Sequence, residues 1–301
     1  MLENVENSSG TSLLDYVMMK VVINMKVRTI GVPLQEGCEI EGSRFACKAL
    51  QMKGVFFDEI VDVKRDLDTR SLVADVCSQI KELSLDAHDH GEFPLVIGGD
   101  HALAIGSIAS TMQVQMLKVL WVDAHTDINT PEASITKRIH GMPVAAVMGE
   151  GYPELVELME EERLGVEDIA MLGIRSMDPF EEQMVKDANI CMYTYDQIEE
   201  QGLVNVLEDL DEMMDLPVHL SFDLDAMSPS VCKGVNTPVV GGFDFEDIMF
   251  LLEYVFDEYD VVSMDIVEYN PLHDQDGKTA DMVVEIVDYV KERLMKKKRE
   301  I

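Results

Sequence analysis

The chain has 301 residues, 47% apolar and 27% charged, enough to bury a large core and too apolar for a disordered protein. Its 58 acidic and 24 basic side chains leave a net charge of −34, which repels nucleic acid and anionic lipid and favours the approach of metal ions or cationic small molecules. Cys38, Cys47, Cys77, Cys191 and Cys232 are odd in number and lack a CxxC pair, which points to free thiols in a reducing, cytoplasmic compartment.

In chain order, residues 1–24 stand apart. They open with Glu3 and Glu6, and the apolar stretch over 16–27 is broken by Lys20, Asn24 and Lys26, so neither a secretory signal nor a membrane span fits. The segment reads as a flexible extension ahead of one domain over 25–301. From Met25 onward, short apolar runs alternate with amphipathic stretches. VRTIGV (27–32), FPLVIGG (93–99), KVLWVDA (118–124), IAMLGI (169–174), VHLSFDLDA (218–226) and VVSMDIVEY (261–269) predict buried strands. Helical spacing recurs over 43–54, 71–83, 153–164 and 245–259, and in a final helix ending at Lys296, Lys297, Lys298 and Arg299, where the helix dipole favours cations. DAHDHG, with His88 and His90, reads as a solvated loop, and His219 as a hydrogen-bonded core residue. Near-continuous apolar strands separated by helices predict an α/β fold whose parallel sheet is covered on both faces.

Ligands in such sheets bind beyond the carboxyl ends of the strands, and there the polar residues collect. Gly98, Gly99, Asp100 and His101 follow one strand; Asp123, His125 and Asp127 end the next; Asp223 and Asp225 end another. Alternate residues of an extended chain share a face. Four carboxylates and two imidazoles at three strand ends need a positive charge among them to stay ionised in a sheltered cleft. Oxygen and imidazole donors without thiolate suit Mn²⁺ better than a structural zinc site. A lone GGDH turn with a capping Asp, or a lone DxD, carries little weight; their joint occurrence at strand ends carries the inference.

GGDHALAIGSI, WVDAHTDINTP, IHGMPVAA, GIRSMDP, SFDLDAMSP, NTPVVGGF and VEYNP resemble, in order and spacing, the successive signature segments of the arginase, or ureohydrolase, family. The resemblance implies a three-layer αβα sandwich with a mainly parallel central sheet. It implies two Mn²⁺ per subunit, one held by His101, Asp123, Asp127 and Asp223, the other by His125, Asp123, Asp223 and Asp225, with Asp123 and Asp223 bridging. It implies hydrolysis of a guanidinium group, L-arginine giving L-ornithine and urea. The resemblance further implies that the two cations make water a competent nucleophile, that Asp127 orients it, that His140 shuttles the proton the departing amine requires, and that Glu268 pairs with the guanidinium. Thr237 is implied to contact the substrate beside Glu268, and Asn129, Asp178 and Glu181 favour an amino-acid substrate. A cytoplasmic homo-oligomer, trimer or hexamer, follows from the same resemblance.

The rim departs from the family pattern. Thr136, Lys137 and Arg138 stand where arginases read Ser-Gly-Asn, and either cation has the chemistry to bind a substrate carboxylate, obstruct the pocket or face solvent. The early loop PLQEGCEIEGSRFACKAL lacks the family's paired glycines, Asn236 replaces Gly, and Ala226, Met227 and Ser228 replace Gly-Leu-Asp. The rivals are an agmatinase, a guanidinobutyrase or a formiminoglutamase with an altered substrate loop, and a metal-binding family member without turnover.

Overall fold

The computed structural model describes residues 25–295 and the backbone of residues 20–22 and 298–300. Its strands, in chain order, are β1 (Lys20–Val22), β2 (Val27–Val32), β3 (Glu59–Ile60), β4 (Phe93–Gly98), β5 (Lys118–Val122), β6 (Ile169–Ile174), β7 (Cys191–Thr194), β8 (Val218–Asp223), β9 (Val261–Val267) and β10 (Lys298–Glu300). Eight of them form one sheet in the order β3-β2-β4-β9-β8-β5-β6-β7, every pairing parallel. The short strands β1 and β10 pair antiparallel outside it.

Alternation along each strand supplies both faces. In β5, Val119 and Trp121 enter one core and Leu120 and Val122 the other, all buried. Helices α2 (Thr69–Asp89), α3 (Ala104–Val114), α4 (Pro143–Val147), α5 (Pro153–Val156) and α6 (Pro179–Ala188) cover the first face. Helices α1 (Ala46–Met52), α7 (Tyr195–Gln201), α8 (Leu203–Leu210), α9 (Phe245–Glu258) and α10 (Lys278–Met295) cover the second. The result is the expected three-layer αβα sandwich, with two dry cores set by the period of two.

Topology positions the site. After β4 the chain leaves a two-strand gap before laying down β5, builds outward through β6 and β7, then returns to fill the gap with β8 and β9. The four central strands β4, β9, β8 and β5 therefore end side by side, at the kind of topological switch that opens a crevice beyond the carboxyl ends.

Several local expectations are corrected. Helix α2 runs to Asp89 because its buried stripe of Val76, Ile80, Ser84 and Ala87 continues, so His88 lies on the helix, half-buried, with Nε2 3.4 Å from Thr111 Oγ1. The helix expected over 153–164 breaks after α5 into a 3₁₀ turn and a left-handed Glu160 (φ 57°); a continued helix would set Glu157 against Glu160 and Glu161 at i,i+3 and i,i+4, where like charges repel. Helix α10 stops at Met295, and Lys298 and Arg299 belong to β10 instead of its last turn. Lys296 and Lys297, like most of the extension over 1–24, lie outside the described residues. The edge strands β3 and β7 are short and poorly buried, and their sequences carry little strand pattern. Among the described residues, no helix is long and apolar enough to cross a membrane.

Candidate metal centre and active site

The ends of β4, β9, β8 and β5 deliver His101, Glu268, the Asp223/Asp225 pair and the Asp123/His125/Asp127 triplet to one crevice. At β4 the delivery depends on two glycines. A Cβ on Gly98 would lie 2.5 Å from the Val32 carbonyl oxygen, and one on Gly99 2.6 Å from that of Leu34, so only bare backbone passes the end of β2 this closely. Asp100 then caps the turn, accepting from Ala102 N at 3.1 Å, and also receives the amides of Gly37 (2.9 Å) and Cys38 (3.3 Å). Burial, with Glu268 nearby, pushes its carboxyl up to about 7. Asp100 thus organises the early loop while its neighbour His101 enters the site.

Two sub-clusters share Asp123. His101 Nδ1 lies 3.0 Å from Asp123 Oδ2, 3.1 Å from Asp223 Oδ2 and 3.3 Å from Asp127 Oδ2. His125 Nδ1 lies 3.2 Å from Asp225 Oδ2 and 3.4 Å from Asp123 Oδ1. All four carboxylates are buried. Burial and the charges of Asp225 and Asp123 hold Asp223 well above the usual carboxylate range, and burial and Asp123 push Asp127 up to about 6. Asp123 is lowered despite its burial, because His101 and His125 both stand against it. The set resists full ionisation without a counter-charge.

The hydrogen-bond network shows what counter-charge fits. Ser221 Oγ donates to Asp265 Oδ1 at 2.6 Å, so toward His101 Nε2, 2.9 Å away, it acts as acceptor. That places the ring proton on Nε2 and aims the bare Nδ1 lone pair at three carboxylate oxygens. His101 Nδ1 is accordingly buried with no hydrogen-bond partner, an arrangement that is repulsive until a cation occupies the point on which the atoms converge. Trp121 fixes the ring by stacking at 4.0 Å between centroids and donates from Nε1 to Asp123 Oδ2 at 3.0 Å. His101, Asp123 and Asp127 form one group with metal-ligand spacing, and Asp123, His125 and Asp225 another. The residues present fit divalent cations.

Beside this cluster, His140 Nδ1 lies 3.0 Å from Glu268 Oε1, which also accepts the His101 amide at 2.9 Å. Burial lowers and Glu268 raises the His140 imidazole, and the net effect holds it well above its usual value; Glu268 is lowered despite burial by the same contact. Asp127 and Glu268 both adopt left-handed backbone (φ 48° and 66°), a conformation costing about 1–3 kcal/mol that concentrates at functional positions.

A cavity of about 190 Å³ opens over the cluster, walled by Asp127, His140, Asn129, Thr136, Arg138, Asp178, Glu181 and Thr237 among others. Asn129 Nδ2 donates to Asp178 Oδ2 at 2.9 Å. Both Glu181 oxygens are engaged, by Thr126 Oγ1 (3.0 Å) and the Asp178 amide (2.7 Å), and burial pushes its carboxyl up to about 7. Thr237 turns toward the cluster and donates to Asp225 Oδ2 at 3.0 Å; the partner on Glu268 Oε2 is Asn236 Nδ2, at 2.6 Å. Thr136 Oγ1 accepts the Arg138 amide at 3.4 Å. The Lys137 ammonium is held by the carbonyls of Pro131 (2.6 Å) and Glu132 (3.3 Å) on its own loop. Arg138 faces the cavity, and the described residues include no ion-pair partner for it.

Sequence reading missed the supporting residues. Ser221 lies two positions before Asp223, on the same face of β8, and Asp265 interrupts the apolar run of β9; both signals were visible in the strand period. His219 is the buried, satisfied residue expected, bonded to Asp265 Oδ2 (2.9 Å) and Ser263 Oγ (2.7 Å). Arg175 donates to the carbonyls of Gly173, Asp225, Ala226, Met227 and Val239, pinning the turn that carries Asp225; only the fold reveals that task.

Comparison with known proteins agrees with this geometry. The arginase of Staphylococcus aureus (strain MRSA252) is 39% identical over 236 residues, covering 77% of this chain and 74% of the relative. The crystal structure of Bacillus subtilis arginase (strain 168) superposes with a TM-score of 0.83 at 32% identity, covering 91% of this chain and 99% of the other. That of Entamoeba histolytica arginase in complex with L-ornithine gives 0.81 at 28% identity, covering 88% and 98%. The Arginase family model matches residues 25–291, and the chain belongs to the arginase family.

Proposed function

We propose that the protein is an arginase, hydrolysing L-arginine to L-ornithine and urea with two Mn²⁺ held by His101, Asp123, Asp127, Asp223, His125 and Asp225. When bound, the cations make water nucleophilic near neutral pH and offset the charge of the four carboxylates. Asp127, its backbone held in the left-handed region at the cluster edge, orients the attacking water toward the guanidinium carbon. Glu268 has one compensating cation in this structure, His140. A guanidinium arriving at the same carboxylate replaces that partner and frees His140 to deliver its proton to the departing amine nitrogen.

The rim carries the substrate assignment. Beyond the cluster the cavity is lined by a cation without an ion-pair partner among the described residues, Arg138, and by a carboxylate, Asp178. That pairing complements an α-amino acid, whose ammonium and carboxylate lie at the end remote from the guanidinium. Agmatine has no carboxylate for Arg138. A formiminoglutamate would require a second free cation, and Lys137 is committed to Pro131 and Glu132. The related arginase solved with L-ornithine supports the same product class. Five unpaired cysteines support a reducing, cytoplasmic setting; the homo-oligomeric state rests on the family resemblance, and sedimentation tests it.

The deciding experiment is urea release by Mn²⁺-loaded protein from L-arginine, agmatine and guanidinobutyrate, with formamide release from formiminoglutamate in parallel. Turnover of arginine alone is expected. Turnover of another substrate with silence on arginine refutes the rim assignment, and silence on all with two Mn²⁺ bound refutes catalysis.

A further inference from the structure

Cys38, His140 and Glu268 offer one ligand atom each, all within 4.8 Å of one another. They arrive from three separate segments: the loop after β2, the turn before α4, and the end of β9. The framework is preformed. The Cys38 amide is bound to Asp100, the His140 amide donates to the Gly37 carbonyl at 3.2 Å, and Asn236 holds the second oxygen of Glu268. Cys38 is fully buried, whereas His140 borders the cavity, so a cation enters from the cavity side and keeps one coordination position facing it.

Thiolate, imidazole and carboxylate with one open position is the donor set of a tetrahedral site. With metal–nitrogen and metal–sulfur bonds of about 2.0 and 2.3 Å, tetrahedral ligands stand roughly 3.3–3.6 Å apart. The 3.0 Å between His140 Nδ1 and Glu268 Oε1 is close to that separation. Thiolate selects soft or borderline ions over Mn²⁺, while the adjoining cluster of His101, Asp123, Asp127, Asp223, His125 and Asp225 contains no sulfur. The thiolate therefore adds a preference for soft ions that the oxygen-and-imidazole cluster lacks.

We propose that Cys38, His140 and Glu268 form a third cation site, selective for thiophilic divalent ions of the Zn²⁺ and Cd²⁺ class, whose occupation captures His140 and silences the active site. On binding, Cys38 releases its thiol proton and His140 its Nδ1 proton to solvent, and no other bond changes. The site stands whether or not L-arginine is the substrate, since its occupation is read spectroscopically.

The test titrates CdCl₂ into the full-length, Mn²⁺-loaded protein while following the ultraviolet cadmium–thiolate charge-transfer band and the electron paramagnetic resonance signal of released Mn²⁺. Wild type is expected to develop the band at one equivalent without Mn²⁺ release, Cys38→Ser to lack it, and Cys191→Ser to keep it. Inhibition by Cd²⁺ is expected to weaken at least tenfold in Cys38→Ser. A band retained in Cys38→Ser places the thiolate elsewhere, and a band lost in Cys191→Ser assigns it to the half-buried Cys191; either overturns the proposal. So does stoichiometric Mn²⁺ release without a band, which places Cd²⁺ in the dinuclear cluster. Should Cys38→Ser fail to fold, Cys38→Ala, which puts no polar group at this buried position, takes its place with the same expected loss of the band.

Discussion

Replacing Ser221 by Ala removes a single hydroxyl that touches no expected substrate, yet the geometry assigns it control over one metal position. Its oxygen accepts from His101 Nε2 at 2.9 Å and donates to Asp265 Oδ1 at 2.6 Å, with all three side chains fully buried. Without it the Nε2 proton has no acceptor, and the imidazole is free to exchange tautomers, which would put a proton on the Nδ1 that faces Asp123, Asp127 and Asp223. Loss of such a supporting partner typically weakens metal binding about 10–100-fold, equivalent to about 1.4–2.8 kcal/mol. Leaving a buried donor unpaired also costs the fold about 1–3 kcal/mol. Calorimetric titration of Mn²⁺ into metal-free protein, together with urea unfolding of the metal-free form, separates the two effects. The step belonging to His101 is expected to weaken by that factor while the step belonging to His125 stays within about threefold, the ordinary scatter for a distant change. Equal weakening of both steps, or a loss of fold stability with both steps intact, would refute the tautomer reasoning and leave Ser221 a packing residue.

Arg138→Ala is expected to raise KM for L-arginine about 10–100-fold, the range for a lost charge-assisted hydrogen bond, with kcat within a few-fold of wild type; Lys137→Ala moves neither, because its ammonium serves its own loop. Steady-state kinetics on both variants checks this, and the reverse ranking would transfer carboxylate recognition to Lys137. Burial and the nearby His219 lower the His88 imidazole to about 4. Between that value and the unfolded 6.5 the unfolded chain binds more protons, so the His88 contribution to stability is present above about pH 6.5 and is lost as pH falls toward 4. After discounting for partial solvent screening, His88→Gln should narrow the stability drop between pH 7 and pH 5 by about 1 kcal/mol. Denaturation at the two pH values measures it, and an unchanged difference would mean that His88 titrates freely in the folded state.

The central features were legible because they are local in sequence. Strands β2 and β6 coincide with their predicted runs, and β4, β5, β8 and β9 begin where predicted and end where their polar ligands start, since a buried parallel strand needs unbroken apolar residues and its functional side chains can only follow it. The paired glycines before His101 marked a close backbone passage. Two readings failed where the surroundings outweighed local pattern. DAHDHG reads as a polar loop, but α3 covers one side of it and Thr111 receives His88. Glu157, Glu160 and Glu161 leave the apolar spacing of 153–164 intact on paper and oppose it once a helix would stack them. Thr237, expected beside Glu268, bonds Asp225 while Asn236 takes the carboxylate, and it lines the cavity all the same.

Sequence alone determined the layer architecture, the strand ends at which chemistry collects and the donor types of the cluster, because apolar period and residue identity are properties of short segments. Only the tertiary structure decided which nitrogen of His101 faces the carboxylates, which of the two rim cations is free, and that Cys38 meets His140 and Glu268. The His101 and Cys38 cases depend on partners more than a hundred residues away, brought near by a strand order that leaves a gap and later fills it, while Lys137 is held by carbonyls of its own loop. Charge, tautomer and availability belong to the pair, and one-dimensional spacing specifies only its members.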